Sequence, residues 1–328
     1  MKRRGFLWIC AAGAASHTGL ASGQAPRVRR MGLLSLIPFS EPPSPERQAF
    51  LQGLVALGLV PGKNLDITYA SAENAVEFLD DIARDLVARR LDVIAAAGAI
   101  PLQALQRATR DIPIVMLAVG DPVGMKLVNT LARPGGNITG SSFISSELAA
   151  KRVQLLQEVV PGARRMAVLV DTRNANARLE SVAVVAAAQK LGLTPLVQRY
   201  EDDGGLTAAL IGAAAGRAEL LYATFEGNIV ARRRHEIAAF ALQRKWPSIA
   251  GWSAIAEAGC LMSYAPDIPE LFRRGAYFVQ RILAGAKPAD LPVEQASRFE
   301  LVVNLKTAKE LGLKFPQAIL VRADRVIE

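Results

Sequence analysis

Two cysteines and two histidines in 328 residues leave little material for metal or nucleophilic chemistry. One of each, Cys10 and His17, lies in an N-terminal stretch that reads as a removable leader, so Cys260 and His235 stand alone in the remainder. A single cysteine excludes an intramolecular disulfide, and among Gly259, Leu261 and Met262 it reads as a buried inert thiol. A single histidine inside Arg232-Arg233-Arg234-His235 excludes a His-rich metal site and makes a Ser-His-Asp or Cys-His arrangement depend on one residue in an arginine run. No glycine fingerprint of the dinucleotide type and no Gly-Lys-Ser or Gly-Lys-Thr loop follows a predicted strand; Gly135-Gly136 and Gly204-Gly205 read as turns. No cofactor, no metal and no catalytic residue is expected.

Long membrane-spanning runs are missing too. Lys2, Arg3 and Arg4 precede an apolar run from Phe6 to Ala15 and the small-residue stretch Leu20-Ala21-Ser22-Gly23-Gln24-Ala25, the order of a secretory signal over residues 1–25. Its core is about half the roughly 20 residues a spanning helix needs, so no stable membrane insertion is expected after removal, and the periplasm is the expected location. Arg3-Arg4-Gly5-Phe6-Leu7 also looks like a twin-arginine export signal, with an ordinary basic leader as the alternative; Trp8 and Ile9 are too bulky for lipoprotein cleavage before Cys10. The net charge of +9 falls to about +6 without Lys2, Arg3 and Arg4, and its basic residues are scattered among acidic ones. The densest cluster, Arg232 to His235, has no aromatic interleaving and reads as a solvated helix face, so no nucleic acid is expected as a partner.

What is present is a βα rhythm. About 300 residues suit two domains better than one core. Apolar runs at Met31–Leu36, Asp92–Ala97 and Ile114–Val119 predict strands of a parallel sheet covered on both faces, and the alternating Leu65, Ile67 and Tyr69 predict an edge strand. Ser44, Pro45 and Glu46 mark a helix start. After Gly140 the pattern restarts, with strands at Met166–Val170, near Leu196, at Glu219–Tyr222 and near Ile249, and helices at Glu147–Val160, Asn176–Leu191 and Ala231–Lys245. Ala132 to Ser142, with Pro, two Gly and Asn, suggests a crossover or hinge. The tail reads as a helix at Leu271–Ala284, a Pro-rich segment at Lys287–Glu294, a strand at Glu300–Val303 and a helix at Thr307–Leu311. The expected fold class is α/β, with two doubly wound parallel-sheet lobes joined by a hinge: residues 26–140 completed by about 264–288, and 141–263 completed by about 289–328.

Several motifs in order carry a resemblance over essentially the whole mature chain. They are Phe50-Leu51-Gln52-Gly53-Leu54, Pro61-Gly62-Lys63-Asn64-Leu65, Gly120-Asp121-Pro122-Val123, Ala132-Arg133-Pro134-Gly135-Gly136-Asn137-Ile138-Thr139-Gly140, Lys287 to Gln295 and Phe299 to Lys309. Together they resemble the substrate-binding proteins of bacterial ABC transporters, in the group that includes the tryptophan-binding TrpX type, with a type I periplasmic binding protein fold. The resemblance implies two lobes that close on a small-molecule solute, an amino acid or aromatic solute being favoured, and a monomer that delivers it to an ABC transporter permease. A periplasmic ligand sensor that partners a receptor, without transport, is the alternative.

Strand ends facing the cleft supply the site candidates. The first lobe offers Ile37, Phe39, Gly98, Ala99 and Asp121; Asp121 suits an ammonium or hydroxyl, and a helix cap before Pro122 needs the same residue. Thr139, Ser141 and Ser142 offer hydroxyls for a carboxylate, with satisfaction of their own turn as the alternative. The second lobe offers Asp171, Asn174, Phe225, Glu226, Trp252 and Tyr264, the aromatics suiting either a planar ligand or the core. Ala99 and Ala265 stand where the family often has Thr or Ser and Gly, which favours a more apolar or aromatic ligand.

Overall fold

Strands buried on both faces take the continuous apolar runs, and helices start where a short polar side chain can cap them. The structure, a computed structural model, describes residues 27–225 and 228–328. Residues 1–25, which read as a leader, and Glu226 therefore lie outside the described residues. The first half runs β1 (Arg29–Ser35), α1 (Pro45–Ala56), β2 (Leu65–Ser71), α2 (Leu79–Ala88), β3 (Val93–Ala97), α3 (Ala99–Ala108), β4 (Ile114–Gly120) and β5 (Ile138–Phe143). Next come α4 (Ser145–Val159), β6 (Arg165–Asp171), α5 (Ala175–Lys190), β7 (Thr194–Tyr200), α6 (Asp203–Ala215), β8 (Leu220–Ala223), α7 (Asn228–Arg232), α8 (Arg234–Gln243), β9 (Ser248–Ala250), α9 (Ser253–Glu257) and β10 (Met262–Pro266). The chain closes with α10 (Ile268–Leu283), β11 (Glu294–Gln295), β12 (Phe299–Asn304), α11 (Leu305–Leu311), α12 (Gln317–Arg322) and β13 (Arg325–Ile327). Ser44 accepts from the Arg47 N–H with Pro45 at the first helical position of α1, and Asp267 does the same for Glu270 at the start of α10.

The strands form two sheets, ordered β11-β5-β4-β3-β1-β2 and β13-β12-β10-β9-β8-β6-β7. All pairings are parallel except β10 with β12. β4 is buried along its whole length, and β2 is the half-exposed edge strand that its alternation predicts. The chain passes between sheets three times: between β5 and α4, between β10 and α10, and between β11 and β12. α10 packs on the first sheet, where Phe278, Val279 and Ile282 share a core with Met31, Phe50 and Leu54. A small apolar cluster of Ala118, Phe143, Phe225, Ile268 and Leu271 sits where the two lobes meet, with Phe143 and Phe225 edge to face at 4.6 Å between centroids.

The crossings correct the sequence reading. Ile138 to Ser142, read as part of a crossover or hinge, belongs to a fully buried strand, Ile138–Phe143, between β4 and β11, and the first crossing comes after it. Met262–Pro266 pairs within the second sheet and Glu294–Gln295 within the first, so both returns fall a few residues later than composition suggests. No helix follows Asp121-Pro122; the segment turns, with the Met125 N–H donating to the Asp121 carbonyl. The helix expected at Ala231–Lys245 is two helices, broken at Arg233.

Candidate ligand-binding cleft

The carboxyl ends of strands in both sheets face one cleft of about 1060 Å³. In parallel sheets this is where strand ends and helix starts converge, leaving room for a ligand. From the first lobe the lining takes Ile37, Pro38 and Phe39 after β1, Glu46 and Arg47 in the first turn of α1, and Gly98 and Ala99 after β3. Gly98 adopts φ +85°, so β3 turns into α3 with no side-chain cap and the start of α3 lies at the wall. The second lobe contributes Asn174 after β6, Phe225 after β8, Arg234 of α8 and Trp252 after β9, while α10 adds Ile268 and Phe272 at the second crossing.

Seven sequence candidates thus line one cavity: Ile37, Phe39, Gly98, Ala99, Asn174, Phe225 and Trp252. Six others lie elsewhere, and each has a local reason. Asp121 has φ +38° and accepts from the Gly124 N–H at 2.9 Å, capping the turn that follows β4. The Thr139 hydroxyl donates to the Leu291 carbonyl at 2.7 Å and that of Ser142 to Glu294 at 3.3 Å, tying β5 to the segment that forms β11. The Ser141 hydroxyl donates to the Leu271 carbonyl at 2.8 Å and accepts from Ala118 N–H, filling an irregularity in β4. Asp171 is fully buried and accepts from the Arg173 N–H at 3.0 Å; burial raises its carboxyl above the usual range despite that bond. Tyr264 stacks on Phe299 with ring centroids 6.0 Å apart. Glu226 lies outside the described residues.

Sequence reasoning missed Arg47, Phe272 and Arg234 as lining residues. Arg47 donates to the Ser40 carbonyl and, at 2.7 Å, to Glu41, and its guanidinium lies 5.3 Å from the Phe39 ring centroid, so it props the loop after β1. Phe272 falls on the apolar stripe of α10, which looks the same in sequence whether it meets core or cleft.

Behind the second-lobe wall lies a fully buried charge network. Arg152 and Glu180, both with 0% side-chain exposure, pair at 2.7 Å. Arg152 Nε donates to the Tyr264 carbonyl at 2.7 Å, and Glu180 accepts from Ser145 Oγ at 2.6 Å, Tyr222 OH at 2.6 Å and the Phe225 N–H at 2.8 Å. Burial alone would weaken the Arg152 charge, but Tyr222 and Glu180 outweigh it and the guanidinium stays protonated, while burial drives the Tyr222 phenol well above its ordinary value. The network ties the first crossing (Ser145), the strand before the second (Tyr264) and the aromatic cleft wall (Phe225). Gly251, next to Trp252, has no room for a side chain, since a Cβ there would come within 2.7 Å of the Phe225 Cβ and 2.8 Å of Arg152 Nη2.

Cys260 is buried, and burial pushes its thiol up to about 11. At pH 8 the expected outcome is no labelling of the Cys260 peptide by a thiol reagent in the native protein and full labelling in denaturant, read by mass spectrometry; rapid native labelling would show that this part of the second lobe opens. Among the described residues no helix is long and apolar enough to cross a membrane.

Residues 41–327 match the family model described as ABC transporter substrate binding protein. The tyrosine-binding protein of Clostridioides difficile (strain R20291) is 27% identical over 269 residues, 82% of this chain and 76% of that protein. Among solved structures, a domain from Streptococcus pneumonia in complex with L-Trp is 26% identical, covers 91% of this chain and 99% of its own, and superposes with a TM-score of 0.85. The ligand-free, open structure of a substrate binding protein with adhesive properties from Clostridium difficile is 27% identical, with coverages of 92% and 99% and a TM-score of 0.67.

Proposed function

The chain belongs to the family of ABC transporter substrate-binding proteins, and from that premise we propose that it captures an amino acid or another small aromatic solute in the interlobe cleft and delivers it to a membrane permease. The observation that carries the solute class is the aromatic part of the cleft lining, to which Phe225 and Trp252 come from one lobe and Phe39 from the other. The tyrosine-binding and L-Trp-bound relatives support the same class. Export to the periplasm rests on the leader-like residues 1–25.

The lobe arrangement corresponds to the closed, solute-holding form. At nearly equal identity and coverage the chain follows the L-Trp complex (0.85) far better than the ligand-free open structure (0.67). Ala175 and Leu179 of the second lobe pack against the core of the first, a contact that opening would expose. Hinge closure of this kind lets the permease distinguish loaded from empty protein.

A thermal-shift screen of refolded, solute-free protein tests the reading. A solute at about 100 times its Kd adds roughly 2.7 kcal/mol, which for lobes of this size raises Tm by roughly 5–10 °C. The expected outcome is a saturable shift with aromatic amino acids, and a loss of affinity of about 10- to 100-fold in Trp252→Ala, together with a lower Tm of the solute-free protein because Trp252 also packs on two apolar clusters. A shift with sugars or nucleosides alone would overturn the solute class, and no shift with any class would overturn the solute-binding role.

A further inference from the structure

Among the described residues four arginines line the cleft, and one of them is both sheltered and without an acidic partner there. Arg47 is paired with Glu41, and Arg325 with Glu257 at 2.6 Å and Glu300 at 3.3 Å. Arg298 is exposed. Arg234 is half-buried; its hydrogen bond runs to the Ala231 carbonyl at 2.8 Å, and no carboxylate among the described residues lies within ion-pair distance of it.

Its neighbours in sequence are engaged differently. Arg232 pairs with Asp203 at 2.9 Å, and Arg233 with Asp203 at 3.7 Å and with Glu236. The helix break at Arg233, with φ −99° and ψ 20°, separates these two from Arg234, which opens α8 at the cleft. A cation there meets the positive end of the α8 dipole, so the position works against helix stability. A guanidinium that has lost part of its hydration without gaining a counter-charge is a site for an anion.

The other acids of the cleft narrow that anion. Asp267 caps Glu270, Asp324 accepts from Leu301 N–H, and Glu257 and Glu300 hold Arg325. Glu46, half-buried on the first-lobe wall, has no cationic partner among the described residues. Among the described residues, the sheltered cleft charges with neither an opposite charge nor a capping role are Arg234 and Glu46, one cation and one anion on opposite lobes, which disfavours a polyanion and suits a zwitterion or a monocarboxylate.

Resting on the solute-binding reading above, we infer that Arg234 anchors the carboxylate of the bound solute, and that the cleft selects carboxylates of net charge zero or −1 with an apolar body over neutral or polyanionic analogues. The geometry of a guanidinium fork matches a carboxylate through two parallel hydrogen bonds. The sequence hides this residue because it stands third in a run of four basic side chains.

The test is isothermal titration with matched pairs, 3-phenylpropionate against 3-phenylpropanamide and L-tyrosine against L-tyrosinamide, on wild type, Arg234→Gln and Arg234→Lys, with phosphotyrosine as the polyanion and glucose and adenosine as neutral controls. Wild type is expected to hold each acid about 10- to 100-fold more tightly than its amide. Arg234→Gln should erase that ratio by weakening the acids and leaving the amides unchanged, and Arg234→Lys should restore part of it. An unchanged acid-to-amide ratio in Arg234→Gln, in protein whose Tm matches wild type, overturns the inference and leaves solute binding intact. Binding of neutral compounds in preference to acids does the same. Failure of every compound to bind overturns both readings.

Discussion

Arg152→Met is expected to lower the unfolding free energy by roughly 3–5 kcal/mol, because it leaves the Glu180 carboxylate fully buried with its cation gone. The loss has two parts. Glu180 keeps Ser145, Tyr222 and the Phe225 N–H as donors but no compensating charge, and the Tyr264 carbonyl loses the Arg152 Nε donor. Removing both charges in Arg152→Met with Glu180→Leu avoids the unpaired ion, and the double variant is expected to be more stable than Arg152→Met alone, though below wild type because Phe225 N–H, Tyr222 and Ser145 then lack their acceptor. Urea midpoints at constant slope give the free energies of wild type, Arg152→Met, Glu180→Leu and the double variant, and the double-mutant cycle built from these four gives the coupling. A single-variant loss under about 1 kcal/mol would show that water reaches the pair. Since the network holds Phe225 at the cleft, solute affinity should fall in Arg152→Met even where the protein remains folded.

The sheets were legible where burial is continuous. Met31–Leu36, Asp92–Ala97 and Ile114–Val119 announce central parallel strands because both their faces are covered, and Ser44-Pro45 announces α1 because capping is local chemistry. β5 was not legible, since Ile138-Thr139-Gly140-Ser141-Ser142-Phe143 has the composition of a linker. Its hydroxyls are satisfied by the carbonyls of Leu271, Leu291 and Glu294, between 130 and 152 residues away, and no local pattern signals such partners. For the same reason these hydroxyls read as ligand donors when they are strand fasteners. Strand ends located Gly98, Asn174, Phe225 and Trp252, because the end of a strand is a property of the run itself. Arg234 depends on a helix break one residue earlier, and Asp121 on a turn where the βα rhythm calls for a helix; neither is set by the residues alone.

Gly140→Ala is expected to cost roughly 3–5 kcal/mol, the sum of a side chain at a conformation reserved for glycine and an overpacked sheet. Gly140 has φ +137°, and a Cβ there would press on the Met116 carbonyl oxygen and lie 2.8 Å from the Met116 nitrogen, in the backbone of the adjacent strand. Backbone cannot swing aside as a side chain can. The contact falls where β4 and β5 change register: Met116 pairs with Gly140 and Val119 with Ser142, so β4 carries one extra residue, with Ala118 at φ +52°. That bulge delivers Leu117 and Ala118 to the cleft and Ala118 to the apolar cluster with Phe143 and Phe225. Close approach of the strands at Gly140 and the Ser141 hydroxyl bonded to Ala118 together hold the bulge, so separating the strands should disturb both stability and the cleft. Gly136, four residues earlier in the same motif, has no left-handed φ, and a Cβ there would meet no heavy atom within 4 Å, so Gly136→Ala should change stability by less than about 0.5 kcal/mol. Denaturation of the pair, side by side, separates a motif kept by the sheet from one kept by the turn: equal losses would mean that the Pro-Gly-Gly turn, and not the strand approach at Gly140, sets the geometry of the lobe junction.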